Sequence, residues 1–347
     1  MFRNYYDGVM NDTRHRAVVA GASGFIGAAV VDALTADGYT VDMIGRTSGT
    51  TWADSTGIDR LLNGADLLVN LAGKSVDCRY TDGNRDEILR SRVATTRALS
   101  EAVGRAERPP RLWVNASTAT IYRHAVDRPN SESDGELGTG FSVDVARAWE
   151  AAFFHGELPA TRRVALRMAI VLGPGPATAM LLTLARLGLG GPQIDGPIIP
   201  HRRYRGIGDD PTGGPAPWHR TRGRQRFSWV HIDDVVGALR WVDAHDDITG
   251  VLNVVSPHAS DNRTLMRELR SIVGMPIGLP SWRWMLEPAM WMLRTEPELI
   301  LKSRWVTPER LLDSGYRFRY TELDDALRAA AGSIRRRPER PRRSGRS

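Results

Sequence analysis

The chain has 347 residues, 41% hydrophobic and 25% charged, with a formal net charge of +7. That is the make-up of a globular protein with one large core, or one core and a smaller lobe. No stretch approaches the ~18 uninterrupted apolar residues of a membrane span, and a single cysteine, Cys78, excludes an internal disulfide or a cysteine-rich metal site.

The charge is concentrated in two segments. Arg335–Ser347 holds seven arginines and one glutamate, +6, and His201–Arg226 holds seven arginines and two aspartates, +5. Taking both from the total leaves the rest of the chain at −4. Both segments are rich in Pro, Gly and Arg and poor in apolar residues, so they read as a solvated loop and tail rather than a basic face. Tyr204 and Trp218 stand alone among the arginines, without the interleaved aromatics that stack on bases. Nucleic acid is therefore not expected as a partner, and neither is a membrane.

Residues 1–14 lack the apolar core of a secretory signal, so they read as a flexible leader and a cytoplasmic location is expected. The first strong pattern is AVVAGASGFIG, residues 17–27, followed by AAVVDAL. A strand at Ala17–Ala20 runs into Gly21, Gly24 and Gly27 and then a helix over Ile26–Ala36, the layout that closes on a dinucleotide pyrophosphate. Gly21 permits the turn, Gly24 lets the backbone approach the phosphates, and Gly27 lets the helix pack on the sheet. Ser23, Phe25 and Ile26 supply amides at the positive end of the helix.

Strand-like and helix-like segments then alternate: strands at Thr40–Ile44, Leu67–Asn70, Leu112–Asn115 and Val164–Val171, helices at Asp82–Val103, with Thr81 before it, and Val143–Phe154. Short apolar strands separated by amphipathic helices predict an α/β fold, a doubly wound parallel sheet. The second strand ends in Gly45-Arg46-Thr47. An NAD binder is expected to place an acid there. Asp42 lies mid-strand, whereas Arg46 and Thr47 suit a 2′-phosphate, so the cofactor is read as NADP(H). Beyond Gly173-Pro-Gly-Pro come a helix at Ala177–Leu189, an aperiodic stretch over Gln193–Arg226, a strand at Phe227–Ile232, Asp233 as cap of a helix at Asp234–Val242, a strand at Val251–Val255 and a helix at Asn262–Val273. The tryptophan-rich stretch Leu279–Trp305 reads as lobe packing.

GASGFIG, Asn70-Leu-Ala-Gly73 and FSWVHIDD (227–234) together resemble the extended and atypical short-chain dehydrogenase/reductases. NLAGKSVDCRYTDGNRDEILRSRVATTRAL, WEAA, LRMAIVLGPG, LARLGLGGP and the stretch TPERLLDSGYRFRY (307–320) are similar to its "epimerase family" branch, which carries a C-terminal domain of unknown function. The resemblance covers about residues 15–330. It implies a Rossmann-type domain over 15–175 completed by 227–256 and a smaller C-terminal helical lobe over 257–332. The lobe segment over 176–226 carries a long Arg/Gly/Pro-rich insertion that departs from the family, which runs almost directly from GLGGP into the FSW motif, and by composition 333–347 reads as a disordered basic tail. The resemblance also implies that Leu71, Ala72 and Gly73 lie along the adenosine and that Gly173, in the loop after Arg167, lies beside the nicotinamide.

The usual proton-transfer pair of that superfamily, Tyr-x-x-x-Lys, is absent: the only lysines are Lys74 and Lys302, preceded at four residues by Asn70 and Glu298. Counting back from Glu150 puts Ser142 and Ala146, or Phe141 and Val145, at its positions. Ser117, in Asn115-Ala-Ser117-Thr118, is the counterpart of the serine that holds the reacting oxygen, and Tyr122 is the nearest substitute proton donor or else a packed loop residue. His231 and Asp233 read as structural. Two functions remain open: an oxidoreductase or epimerase-like enzyme on a small molecule, and a cofactor-binding sensor or scaffold with little turnover.

Overall fold

A computed structural model of the chain describes residues 15–196, 219–286 and 301–336. The leader, the centre of the Arg-rich insertion, Trp291 and most of the basic tail lie outside the described residues. The strands are β1 (Arg16–Ala20), β2 (Thr40–Gly45), β3 (Thr50–Thr51), β4 (Leu67–Asn70), β5 (Leu112–Thr118), β6 (Arg162–Met168), β7 (Ile170–Leu172), β8 (Gln193–Ile194), β9 (Arg226–Phe227), β10 (Trp229–His231), β11 (Gly250–Val254), β12 (Ser260–Asp261) and β13 (Ser281–Trp282). The helices are α1 (Phe25–Ala36), α2 (Ser55–Leu62), α3 (Asp82–Arg105), α4 (Phe141–Phe154), α5 (Pro176–Arg186), α6 (Ile232–Ala244), α7 (Asn262–Val273), α8 (Glu309–Asp313) and α9 (Leu323–Arg336).

Seven strands pair in parallel in the order β3-β2-β1-β4-β5-β6-β11, with helices on both faces. Strand order reverses between β1 and β4, so the crevice beyond their carboxyl ends is the switch point where such sheets take ligands. Burial on both faces is why β1, β4 and the first half of β5 read as short apolar runs. One core layer packs Val30 and Leu34 of α1 and Val235 and Leu239 of α6 on the sheet, and the opposite layer packs Ile58 and Leu62 of α2 and Leu99 and Val103 of α3. A separate lobe core joins Leu181 and Leu182 of α5, Leu265 and Leu269 of α7, Leu327 of α9 and Trp229.

Several expectations are corrected. Val164–Val171 is two strands: β6 belongs to the large sheet, while β7 leaves it beyond Ala169 and pairs with β10. Phe227–Ile232 is likewise split at Ser228, whose hydroxyl donates to the Arg304 carbonyl, so that β9 pairs with β12 and β10 with β7. The cap of α6 is His231, not Asp233: its ring accepts from the Asp233 amide at 3.2 Å. Asp234 does the binding work in this turn. Its carboxylate accepts from the Arg319 and Tyr320 amides at 2.6 and 3.0 Å, clasping the C-terminal segment to α6, and burial pushes its pKa up. The helix α2, capped by Asp54, was not foreseen. The expected lobe packing of the tryptophan-rich stretch fails for Trp282 and Trp284, which are exposed. The inner end of the insertion, Thr221–Arg226, read as a solvated loop, is held by Gln225, which is buried and donates to the Gln193 carbonyl. Finally, α9 runs to Arg336, into the segment read as tail.

Candidate functional site

The turn after β1 is built as its glycines require. Gly21 has φ +83°, a conformation glycine adopts without strain, and a Cβ there would stand 2.7 Å from the Leu71 carbonyl carbon and oxygen. The ends of β1 and β4 thus touch at the switch point. A Cβ on Gly27 would overlap the Gly21 carbonyl oxygen, so this glycine sets how closely α1 approaches the turn. Gly24 precedes the helix with no side-chain cap hydrogen bond, and the first turn holds no acidic residue. Ser23 and Gly24 are exposed, and Phe25 and Ile26 open the helix. The first amides of a helix have no intrahelical partners, and here no side chain among the described residues supplies one, which fits an anion.

The other expected cofactor residues surround this turn. The Gly21 amide donates to Ile44 at the end of β2 (3.1 Å), and Arg46 and Thr47 follow there, both exposed. Arg46 makes no ion pair among the described residues, whereas Asp42, the acid set aside from the cofactor, pairs with Arg16 at 3.2 Å. Leu71 and Ala72 are fixed by Asn70, whose buried amide donates to Asn115 (2.7 Å) and Thr96 (3.1 Å) while its oxygen accepts from the Ala72 amide. The Trp149 indole N–H also donates to Thr96. Gly73 lies against Arg92, which donates to the Lys74 and Ile88 carbonyls and sits 5.1 Å over the Trp149 ring; burial lowers its pKa to about 10. Lys74 pairs with Glu87, whose carboxyl is held below its usual range by that contact, with the Arg46 field adding to it. Gly173 packs on Phe25: a Cβ there would stand 2.8 Å from the ring. The glycine turn, the β2 and β4 ends and the Gly173 loop therefore converge.

Ser117 and Tyr122 take a different place. The Ser117 hydroxyl donates to Glu150 at 2.5 Å and is 4% exposed. Glu150 is also gripped by Arg167 through Nε (2.8 Å) and Nη2 (2.7 Å), and Arg167 Nη1 donates to the Tyr122 hydroxyl at 2.9 Å. Tyr122, 2% exposed, donates in turn to Asn253 at 3.0 Å, and Glu132 accepts from the Asn253 amide. The result is one buried chain, Ser117–Glu150–Arg167–Tyr122–Asn253. Burial alone would lower the Arg167 pKa, but the Glu150 carboxylate and Tyr122 more than reverse it. For Tyr122, burial outweighs the neighbouring Arg167 and raises the phenol. The positions counted for the missing pair are packed: Ala146 lies in a core cluster with Ile121 and Tyr122, Phe141 meets Tyr80 edge-on, and Val145 packs with Ile88, while Ser142 is half-buried. The sequence reading missed Thr96, Asn253, Glu132 and the ionic role of Glu150. A glutamate in the apolar run WEAAFF and an asparagine in VLNVV were the available signals.

Further along the β5 loop, His124 stacks on His219, ring centroids 3.4 Å apart at 16°. Burial, then His219 and the charges of Lys302, Arg123 and Arg304, push the His124 pKa down to about 4; burial also lowers that of His219. A depressed histidine contributes stability above its unfolded pKa of about 6.5 and loses it as pH falls through the folded value. Resistance to urea unfolding should therefore fall as pH drops from about 6.5 to 4, and His124→Asn should flatten part of that slope; an unchanged slope would mean that His124 titrates normally.

A parallel sheet in this strand order with an uncapped glycine turn at its switch point defines a dinucleotide-binding Rossmann protein. Residues 17–254 match the model of the NAD dependent epimerase/dehydratase family and residues 283–330 that of a domain of unknown function, DUF1731. The chain belongs to the NAD-dependent epimerase/dehydratase family. It is 32% identical over 325 residues to the epimerase family protein SDR39U1 of Bos taurus, covering 90% of this chain and 98% of that one. It is 26% identical over 321 residues to the epimerase family protein YfhF of Bacillus subtilis, covering 89% and 95%. Among solved structures it is similar to human SDR39U1 (isoform 2) crystallised with NADPH, at 28% identity and a TM-score of 0.76, covering 91% of this chain and 99% of that one.

Proposed function

We propose that the chain is an NADP(H)-binding enzyme of the short-chain dehydrogenase/reductase type that transfers hydride to or from a small molecule without a Tyr-x-x-x-Lys pair. The observation that carries the reading is the uncapped first turn of α1 together with Arg46, exposed at the end of β2 and in no ion pair among the described residues. The amides of Phe25 and Ile26 would hold the pyrophosphate, and Arg46 and Thr47 the 2′-phosphate. The relative crystallised with NADPH supports the same choice. Bound there, the cofactor supplies the hydride. Ser117 is the residue to orient the reacting oxygen, held in place by Glu150. Tyr122, its phenol raised and its oxygen receiving Arg167, keeps its proton at neutral pH and can donate but not abstract.

A second reading, a cofactor-binding sensor with little turnover, is favoured by a specific observation: both hydroxyls already have partners inside the protein. A screen of carbonyl compounds with NADPH separates the two, since turnover lost in Ser117→Ala supports the enzyme and zero turnover despite tight binding supports the sensor.

The cofactor assignment is tested by titrating NADPH and NADH against tryptophan fluorescence. Losing a two-pronged guanidinium–phosphate contact costs roughly 2–3 kcal/mol, or about 30- to 150-fold. Arg46→Ala should therefore weaken NADPH by about that factor and leave NADH within about threefold. An equal loss for both would refute the 2′-phosphate role.

A further inference from the structure

Lys74 is one of two lysines in the chain and directly follows Gly73, at the β4 side of the switch point. Helix α3 fixes its backbone: the Lys74 amide donates to Ser91 Oγ at 2.9 Å, and its carbonyl accepts from Arg92 at 3.0 Å. One turn before Ser91, on the same face of α3, Glu87 takes the Lys74 ammonium. Both side chains reach solvent, Glu87 with 47% of its surface exposed. Arg46, at the β2 side, bears on the same carboxylate. The Lys74 contact holds the Glu87 carboxyl below its usual range, and the charges of Arg90 and Arg46 add to that. Arg90 is paired with Asp86 on the helix surface at 3.8 Å, whereas Arg46 has no ion pair among the described residues. Since β2 and β4 are the two neighbours of β1, Lys74 and Arg46 stand on either side of the glycine turn with one carboxylate between them.

A phosphate monoester carries close to two negative charges at neutral pH. Arriving beside Arg46, a 2′-phosphate is attracted by Lys74 and repelled by Glu87. An ammonium is a point charge on a flexible four-carbon stem, able to exchange one oxyanion for another while its backbone stays fixed. NADH has a hydroxyl in place of that phosphate, so it neither gains the lysine nor meets the repulsion. We infer that Glu87 is a built-in competitor for the 2′-phosphate: it holds Lys74 in the cofactor-free protein, gives it up when NADPH binds, and so sets how strongly this chain prefers NADPH to NADH. The inference rests on the cofactor reading above and adds to that site a carboxylate that regulates it.

The test is a double-mutant cycle on the full chain, read by fluorescence titration with NADPH and with NADH. Glu87→Gln should tighten NADPH about fivefold, the scale of one charge interaction across solvent, and leave NADH within about twofold. Lys74→Met should weaken NADPH about tenfold, as for loss of one charge-assisted contact, and should do so in the Glu87→Gln background as well. A lysine that only neutralises Glu87 gives a different result: Lys74→Met/Glu87→Gln would bind NADPH as well as Glu87→Gln does, and that overturns the inference. So does an unchanged or weakened NADPH affinity in Glu87→Gln, or an equal change for NADH. Thermal melts of each variant should match the parent, because a solvent-exposed ion pair contributes little to stability. Inert Lys74 and Glu87 variants of a chain in which Arg46→Ala still discriminates the two cofactors would overturn this inference alone. A chain that binds neither cofactor would overturn the cofactor reading with it.

Discussion

Replacing Gly24 with valine should leave the protein folded and remove NADPH binding. The backbone at Gly24, φ −75° and ψ 168°, is open to any L-residue, and a Cβ there meets only the Gly21 carbonyl oxygen at 3.4 Å, an ordinary contact. The protein itself therefore has little reason to require glycine. The added methyls would instead stand in front of the first amides of α1, between them and the pyrophosphate. Losing two charge-assisted amide contacts corresponds to roughly 3 kcal/mol, or at least about 100-fold in Kd. Fluorescence titration and a thermal melt check both halves: the melting temperature should stay within about 2 °C, since surface changes of this kind cost little. Gly27→Ala provides the contrast, because its Cβ overlaps the Gly21 carbonyl and should lower stability directly. Undiminished NADPH affinity in Gly24→Val would place the cofactor elsewhere.

The second large effect lies in the buried chain. Glu150→Gln removes the negative partner of Arg167 while keeping its shape, leaving a guanidinium 9% exposed without a counter-charge. Breaking one side of such a pair typically costs about 3–5 kcal/mol, and at ~2 °C per kcal/mol for a large domain this is a fall of roughly 6–10 °C in Tm. The double variant Glu150→Gln/Arg167→Met should recover much of that loss, since removing both charges leaves nothing uncompensated. A single variant as stable as the parent would show that water or a rearranged neighbour already neutralises Arg167. If Ser117 acts in catalysis, Glu150→Gln should lower turnover more than NADPH affinity, because Glu150 positions the serine rather than the cofactor.

How legible the molecule was in its sequence depended on the range of the interactions concerned. The β1 turn, β4, α3 with its Thr81 cap and α7 fall where local pattern put them. Each is specified by apolar periodicity and a capping or turn residue within a few positions. The misreadings sit where a strand changes partners. Val164–Val171 and Phe227–Ile232 each read as one strand-like segment, and only the sheet they leave and the strand they join breaks them at Ala169 and Ser228. Likewise, Asp233 is an acceptable cap by residue type. The helix instead begins one residue earlier, at Ile232, so His231 holds the cap position and Asp233 lies inside the first turn, where it pairs with Arg319 some 85 residues further on.

The sequence by itself determined the class of protein and the place of its dinucleotide turn. A glycine spacing between an apolar strand and an apolar helix is a local statement about backbone conformation and amide orientation. What only the tertiary structure decided is the company kept by the chemical groups. Ser117, Glu150, Arg167, Tyr122 and Asn253 come from four elements and a loop, and no periodicity predicts that one arginine will bridge a glutamate and a tyrosine. Charge can be counted along a chain, but its electrostatic consequence depends on distance in space, and that distance is set by packing.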